Sequence, residues 1–247
     1  MQPKVTIIAA TEKRPELAAA LLIFTKQTRL KMSAGGLDEV RDKCIYDPDW
    51  MHEQLDYMSK TIRSSWEFLD VTFMVENVSR ACAQQMTRTR QASYAMQSQR
   101  VTDMSGVTFH IPDSVKDKDA YNNSLGAGIE SYRQLVEDGE SMEDARGVLP
   151  MNVHCNLVAK YNLRTLADLL PARTSYRAQG EYNEVARQMR AAIIEMWPWA
   201  TMFFQPRNSI ANEILDELMA AAENGASVHE LKILASKAKD SINGGDK

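Results

Sequence analysis

No Cys-x-x-Cys pair, no histidine cluster and no long apolar run occur in this 247-residue chain. Cys44, Cys82 and Cys155 are odd in number and far apart, which excludes a disulfide framework and fits a reducing compartment. His52, His110, His154 and His229 are equally scattered, so no metal site is expected. The longest apolar run near the N-terminus, AAALLIF at 18–24, follows Glu16 and precedes Lys26. It is too short to span a bilayer and has no small-residue cleavage site, which predicts a cytoplasmic protein with no membrane partner. Gly and Pro, 11 and 8 in number, are too few for a fibrous or low-complexity chain, and no internal repeat is present.

Acid is also missing locally. From Asn77 to Thr102 there is no Asp or Glu, although Arg80, Arg88, Arg90 and Arg100 fall inside that window. A second basic group, Arg164, Arg173 and Arg177, is interrupted only by Asp168. The formal net charge is nevertheless −4. Arginines at close range repel one another, and their planar forks match phosphate and carboxylate oxygens two at a time. Two explanations stand at this point: recognition of an anion, or ion pairs with acids elsewhere in the fold. Nucleic acid is the less attractive anion, because the chain is net acidic and its aromatics are not interleaved with the arginines. A small phosphorylated ligand fits better.

Periodicity predicts alternating strands and helices. KVTIIAA at 4–10 reads as a buried strand and 15–28 as a helix; 47–62 is a helix capped by Asp47. FLDVTFMVEN at 68–77 alternates as a strand, and SRACAQQM at 79–86 is a short helix. VTFHI at 107–111, closed by Pro112, and NVHCNLVAKY at 152–161 are further strands. Helices are expected over 114–138 with Gly139 as the stop, over 141–149, over 162–170 up to Pro171, and over 178–196. EMWPWATMFF reads as a core or subunit-contact segment, and 207–242 as two more helices before a frayed NGGDK end. The expected class is α/β (α+β), a mixed sheet flanked by helices with a helical C-terminal part. Residues 1–200 form the expected catalytic domain and 201–247 a helical extension.

The stretch RTRQASYAMQSQR, 88–100, resembles the signature of the flavin-dependent thymidylate synthases, R-H-R-x-x-S-x-N-E-x-S-x-R. Four other pieces match in the same order. SSWEFLDVTF at 64–73 resembles the family's Ser-x-x-Glu run into a strand, and Gln85 stands three residues before Arg88. EDARGVLP at 143–150 matches E-x-A-R-x-x-L-P, and NLRTLADLLPARTSYRAQGE at 162–181 matches the N-x-R-x-L segment, its later Arg and Ala-Gln-x-Glu. The resemblance covers about 64–190. It implies a homotetramer with active sites between subunits, methylenetetrahydrofolate and NADPH as co-substrates, and FAD as hydride carrier in converting dUMP to dTMP. It also implies roles. Gln85, Gln97, Ser98, Gln99, Arg100 and Arg146 would hold the nucleotide, and Arg88 would touch nucleotide and flavin. Ser64, Thr89, Arg90, Asn162, Arg164 and Asp168 would face FAD, and Arg173 would bind the pyrimidine ring and favour its ionised form as the catalytic group. A mechanism without a cysteine nucleophile suits Cys82 and Cys155, which sit in predicted core elements beside no base.

The signature departs from the family on one side. Thr89 replaces its histidine, Ala95 and Met96 its Asn-Glu pair, and Ile62, Phe68 and Arg177 further histidines. Nucleotide-side groups largely survive. Three functions remain open: thymidylate synthesis with altered flavin contacts, folate-dependent hydroxymethylation at C5 of dUMP or dCMP, and an inactive nucleotide-binding assembly protein.

Overall fold

The structure, a computed structural model, describes residues 2–26, 32–61, 63–174 and 180–205, with Ser227 and Lys232. Expected helix residues 27–28, the departures Ile62 and Arg177, and the tail helices at 207–242 lie outside the described residues. Met1–Phe204 forms one compact unit and Gln205–Lys247 another.

In the first unit, strands β1 (Lys4–Ala10), β2 (Asp70–Ser79), β3 (Ala92–Met96) and β4 (His154–Asn162) form a sheet in the order β1-β2-β4-β3. The α/β (α+β) class is as expected. The mixed sheet is not: every pairing among these strands is antiparallel. Alternation of helices and strands suggests parallel crossovers, but here the long helical connections do not return the chain in the same direction beside its neighbour. Alternation places Val71, Phe73 and Val75 of β2 and Leu157, Ala159 and Tyr161 of β4 in the core, while intervening residues stay partly exposed. Helices α1 (Pro15–Lys26), α2 (Ala34–Tyr46) and α3 (Pro48–Ser59) contribute Leu22, Cys44 and Leu55 to the same core. Trp197, Trp199, Phe203 and Phe204 are buried there too, the first two stacked at 5.5 Å, which resolves the WPWATMFF segment as core.

Two expectations fail locally. Residues 107–111 make a single bridge, Phe109 to Val153, because the chain opposite them is still turning out of Pro150. The strand that completes the sheet is instead β3, inside the arginine stretch. Helix α7 (Leu163–Arg173) runs through Pro171 instead of stopping before it. Only its last turn lies beyond the proline, and the Thr174 N–H and hydroxyl both reach Leu170 O at 2.9 Å. By contrast α5 (Lys118–Glu137) ends as expected ahead of Gly139, whose φ of +96° favours glycine.

β2 contains the irregularity that aims the site. Its register with β4 shifts between Val75 and Val78, and Asn77 there adopts φ 59°, with its N–H donating to Asn156 Oδ1 at 3.0 Å. Ser79 then caps α4 (Arg80–Met86), its hydroxyl accepting from Cys82 N at 3.0 Å. The buried Glu181 carboxylate, on α8 (Gly180–Met196), accepts hydrogen bonds from Ser79 N at 2.6 Å and from the Ser79 hydroxyl at 2.5 Å. Cap, bulge and carboxylate together fix where α4 begins and therefore where the arginines after it emerge. Among the described residues, no helix is long and apolar enough to cross a membrane.

His154 makes stability sensitive to acid. It is 6% exposed at the start of β4, with Nδ1 2.8 Å from the Thr108 hydroxyl and Nε2 unpartnered among the described residues. Burial depresses it from the ordinary value to about 4. A folded-state value below the unfolded one means that acid favours the unfolded chain, so stability is intact above pH ~6.5 and lost as pH falls towards about 4. Urea denaturation of the wild type between pH 7 and 4 should lose about 2–3 kcal/mol more than a His154→Gln variant does. Equal losses in the two proteins would show that His154 is not the titrating group.

Candidate active site

Two cavities flank the turn after α4, and consecutive residues line them, Thr87 the first and Arg88 the second. Tyr94 holds that turn: its hydroxyl lies 2.6 Å from Met86 O and 3.1 Å from Thr89 O, and its ring meets Tyr161 edge-on at 5.8 Å. Tyr94 is thus a half-buried structural residue and not a free stacking platform.

The first cavity, about 320 Å³, is lined by Arg80, Gln84, Met96, Gln99 and Arg146, closed by Leu149, Pro150 and Met151. Arg146 opens the 3₁₀ turn Arg146–Val148 after α6 (Met142–Ala145), which Ser141 caps through Asp144 N. Gly128 of α5 allows this loop in close, since a Cβ there would meet Pro150 Cδ at 3.0 Å and Val148 O at 3.1 Å. Glu143 sits between two arginines: Arg100 Nε lies 2.7 Å from its carboxylate, and Arg146 Nη2 4.0 Å. Arg146 Nε also donates to Glu143 O at 3.0 Å. Two guanidinium groups thus share the Glu143 carboxylate.

The second cavity, about 500 Å³, lies between that turn and α7 and is lined by Arg88, Thr89, Arg90, Gln91, Thr165, Asp168, Leu169, Ala172 and Arg173. Among the described residues Arg88, Arg90 and Arg173 make no ion pair. The Arg173 guanidinium lies 4.8 Å from the Tyr182 ring centroid. Burial pushes the Tyr182 hydroxyl up to about 12 against the pull of Arg173, so a neutral phenol faces the cation. Asp168 is held by Arg63 at 2.6 Å, and Arg164, one turn earlier on α7, pairs with Glu67. Both pairs tie α7 to the 3₁₀ turn Ser64–Phe68, where Ser64 itself is exposed.

The structure therefore splits the expected set. Gln99 and Arg146 line the first cavity; Arg88, Thr89, Arg90, Asp168 and Arg173 line the second. Arg100, Arg146, Arg164 and Asp168 satisfy the ion-pair explanation in part, while Arg88, Arg90 and Arg173 keep the anion explanation. Ser98 accepts from Arg100 N at 3.1 Å, and Gln97 Oε1 from Asn156 N at 3.2 Å. Asn162 caps α7 by accepting from Thr165 N at 2.8 Å. Gln85 is a half-buried residue of α4 and lines neither cavity. Sequence reasoning missed Arg63, Gln84, Gln91 and Thr165 and gave Arg80 no role, although Arg80 stood in the acid-free window. Cys82 and Cys155 are free and buried, with burial raising both thiols, Cys155 to about 11, so neither is poised as a thiolate nucleophile.

Comparison with known proteins identifies the family of the chain. A family profile described as thymidylate synthase complementing protein matches residues 8–199. A flavin-dependent thymidylate synthase of Geobacter sulfurreducens is 35% identical over 188 residues, 74% of this chain and 79% of that protein. The corresponding Pyrococcus furiosus protein is 39% identical over 131 residues, 50% of this chain and 54% of its own length. In fold, the chain is similar to a UMP/dUMP methylase, PolB, of Streptomyces cacaoi, solved with 5-Br dUMP. The TM-score is 0.66 at 22% identity, covering 82% of this chain and 94% of that one. With its arginine signature set on an antiparallel sheet and matched over most of its length, the chain belongs to the thymidylate synthase complementing protein family, that of the flavin-dependent thymidylate synthases.

Proposed function

We propose that the chain transfers a one-carbon unit from methylenetetrahydrofolate to C5 of a pyrimidine deoxynucleotide monophosphate, converting dUMP to dTMP. The observation that carries this reading is the pair of arginine-lined cavities on either side of the Thr87–Arg88 turn. Arg146, Gln99, Ser98 and Arg100 hold the phosphate end, with Gln85 and Gln97 ordering the segments that carry them. Arg88 serves both cavities' ligands, and Arg173 faces the pyrimidine and stabilises negative charge as it develops on the ring. Buried cysteines agree with a route that needs no thiolate at C6. The active assembly is a homotetramer with sites shared between subunits, and the three free cysteines favour a cytoplasmic setting.

The donor set of the second cavity fits FAD. Arg88 and Arg90, which make no ion pair among the described residues, suit its pyrophosphate, and Thr89, Gln91 and Asp168 offer polar partners beside the apolar Leu169. Ser64, Asn162 and Arg164 line neither cavity, and their part in this reading is to position α7 and the turn before β2 through the Asn162 cap and the Arg164–Glu67 pair. When bound and reduced, with NADPH as electron source, the flavin would supply the hydride that completes the methyl group.

One observation favours a second reading, hydroxymethylation of dUMP or dCMP with no flavin hydride. Position 96 presents a thioether, in contact with Arg80, where the family signature has a carboxylate, and Phe68 presents a ring 57% exposed where the family has a histidine. At about 1 kcal/mol per neutral hydrogen bond, loss of the two groups replaced by Ile62 and Thr89 weakens FAD by roughly thirtyfold. The purified protein should therefore carry well under one flavin per chain by absorbance. Mass analysis of products from dUMP and dCMP with methylenetetrahydrofolate, with and without FAD and NADPH, tests both readings. Stoichiometric flavin, with dTMP formed only when NADPH is present, would remove the second; a hydroxymethyl product without flavin would replace the first. No product from either nucleotide leaves an inactive nucleotide-binding protein.

A further inference from the structure

Arg80 opens α4 directly after the Ser79 cap, outside every matched motif. Its Nη1 lies 3.2 Å from Met96 Sδ and 3.4 Å from Gln97 O. A thioether and a carbonyl carry no charge to offset a guanidinium, and no carboxylate among the described residues pairs with it. Arg80 nevertheless lines the first cavity with Arg146 and Gln99. Gln99 is only 8% exposed, and its Nε2 has no hydrogen-bond partner among the described residues. A buried amide without a partner is costly unless a ligand supplies an acceptor. Arg146 is already partly engaged by Glu143, so Arg80 holds the larger unmet charge of the two.

We propose that Arg80 is a phosphate-anchoring residue of the nucleotide site and that Met96 sets its availability. This rests on the reading above that the first cavity receives the phosphate end of the nucleotide. A carboxylate at position 96, as in the family signature, would stand against the Arg80 guanidinium and neutralise it within the cavity. The thioether leaves the cation uncompensated, so that the ligand's oxygens complete its coordination alongside the Gln99 amide. The departure at position 96 and the arginine at position 80 are then one paired adaptation of the phosphate pocket.

The test measures dUMP affinity by calorimetry, and inorganic phosphate as a competitor, for the wild type, Arg80→Gln, Arg80→Lys, Met96→Glu and the double variant Arg80→Gln/Met96→Glu. Thermal midpoints confirm that each is folded. Arg80→Gln should weaken dUMP and phosphate roughly tenfold to a hundredfold, and Arg80→Lys should recover part of that. Met96→Glu should weaken both ligands similarly, and the double variant should be no weaker than Arg80→Gln alone, because the new carboxylate acts through Arg80. Wild-type affinity in Arg80→Gln overturns the proposal. Additive losses in the double variant overturn the pairing with Met96. If the wild type binds no dUMP, the nucleotide reading itself fails, and direct titration with inorganic phosphate still judges Arg80: equal affinity in wild type and Arg80→Gln overturns its anchoring role, and weaker affinity in the variant supports it.

Discussion

Arg173→Ala should lower kcat by about 10²–10³-fold while changing nucleotide affinity far less. The expectation follows from how Arg173 is held. It lies in the last turn of α7, lines the second cavity, and packs its guanidinium on the neutral Tyr182 ring, with no acid paired to it among the described residues. A cation without a carboxylate partner keeps its charge for the ligand. C5 of a pyrimidine becomes nucleophilic only as negative charge builds on the ring, so the interaction strengthens between ground state and transition state. That difference appears in kcat more than in binding. Arg173→Lys keeps charge but loses the planar fork and the stacking geometry, and it should fall between the two. Single-turnover rates and dUMP affinity measured on the same preparations decide the matter. A fall in turnover merely proportional to lost affinity would make Arg173 an ordinary binding residue.

What could be read from the chain beforehand was unequal, for physical reasons. Strands β2 and β4 announce themselves because one face of each is buried, giving strict alternation such as Val71, Phe73, Val75. β3 hid within a polar, arginine-rich stretch, since a short edge strand pairing on one side needs no such pattern. α2 was not foreseen: it begins Ala-Gly-Gly and buries only Val40 and Cys44, so it lacks both propensity and a broad apolar face. The arginines were visible as an imbalance of charge, but not their division between Glu143, Glu67 and two open cavities, because those acids are supplied by distant segments. Asp168 illustrates the limit. The family resemblance marked it as a site residue, whereas its contact with Arg63 depends on the 3₁₀ turn that packs against α7. Arg80 was in plain view within the acid-free window, yet only the cavity shows that it and Met96 meet.

Trp66→Ala should cost about 3–5 kcal/mol of stability, a large share of the ~5–15 kcal/mol that holds a typical domain. Trp66 is 1% exposed in the 3₁₀ turn ahead of β2 and meets Phe203 edge-on at 4.8 Å. Deleting the indole removes that contact and opens a void between this turn and the buried side of the Pro198–Phe204 segment. Trp66→Phe should lose only roughly 1–2 kcal/mol, because a ring remains and the indole Nε1 has no hydrogen-bond partner among the described residues to forfeit. The same ring also supports the site, since the Arg63 guanidinium lies 4.8 Å from its centroid while reaching Asp168 at 2.6 Å. Losing the ring frees Arg63 and loosens its hold on the carboxylate in the second cavity. Trp66→Ala should therefore weaken FAD binding even at a temperature where the variant is folded, whereas Trp66→Phe retains it. Urea denaturation at one fixed protein concentration gives the stability terms, and flavin fluorescence titration gives the other. A stability loss below about 1 kcal/mol in Trp66→Ala would refute the packing argument. Unchanged flavin affinity in a folded Trp66→Ala variant would show that Arg63 is positioned without the ring.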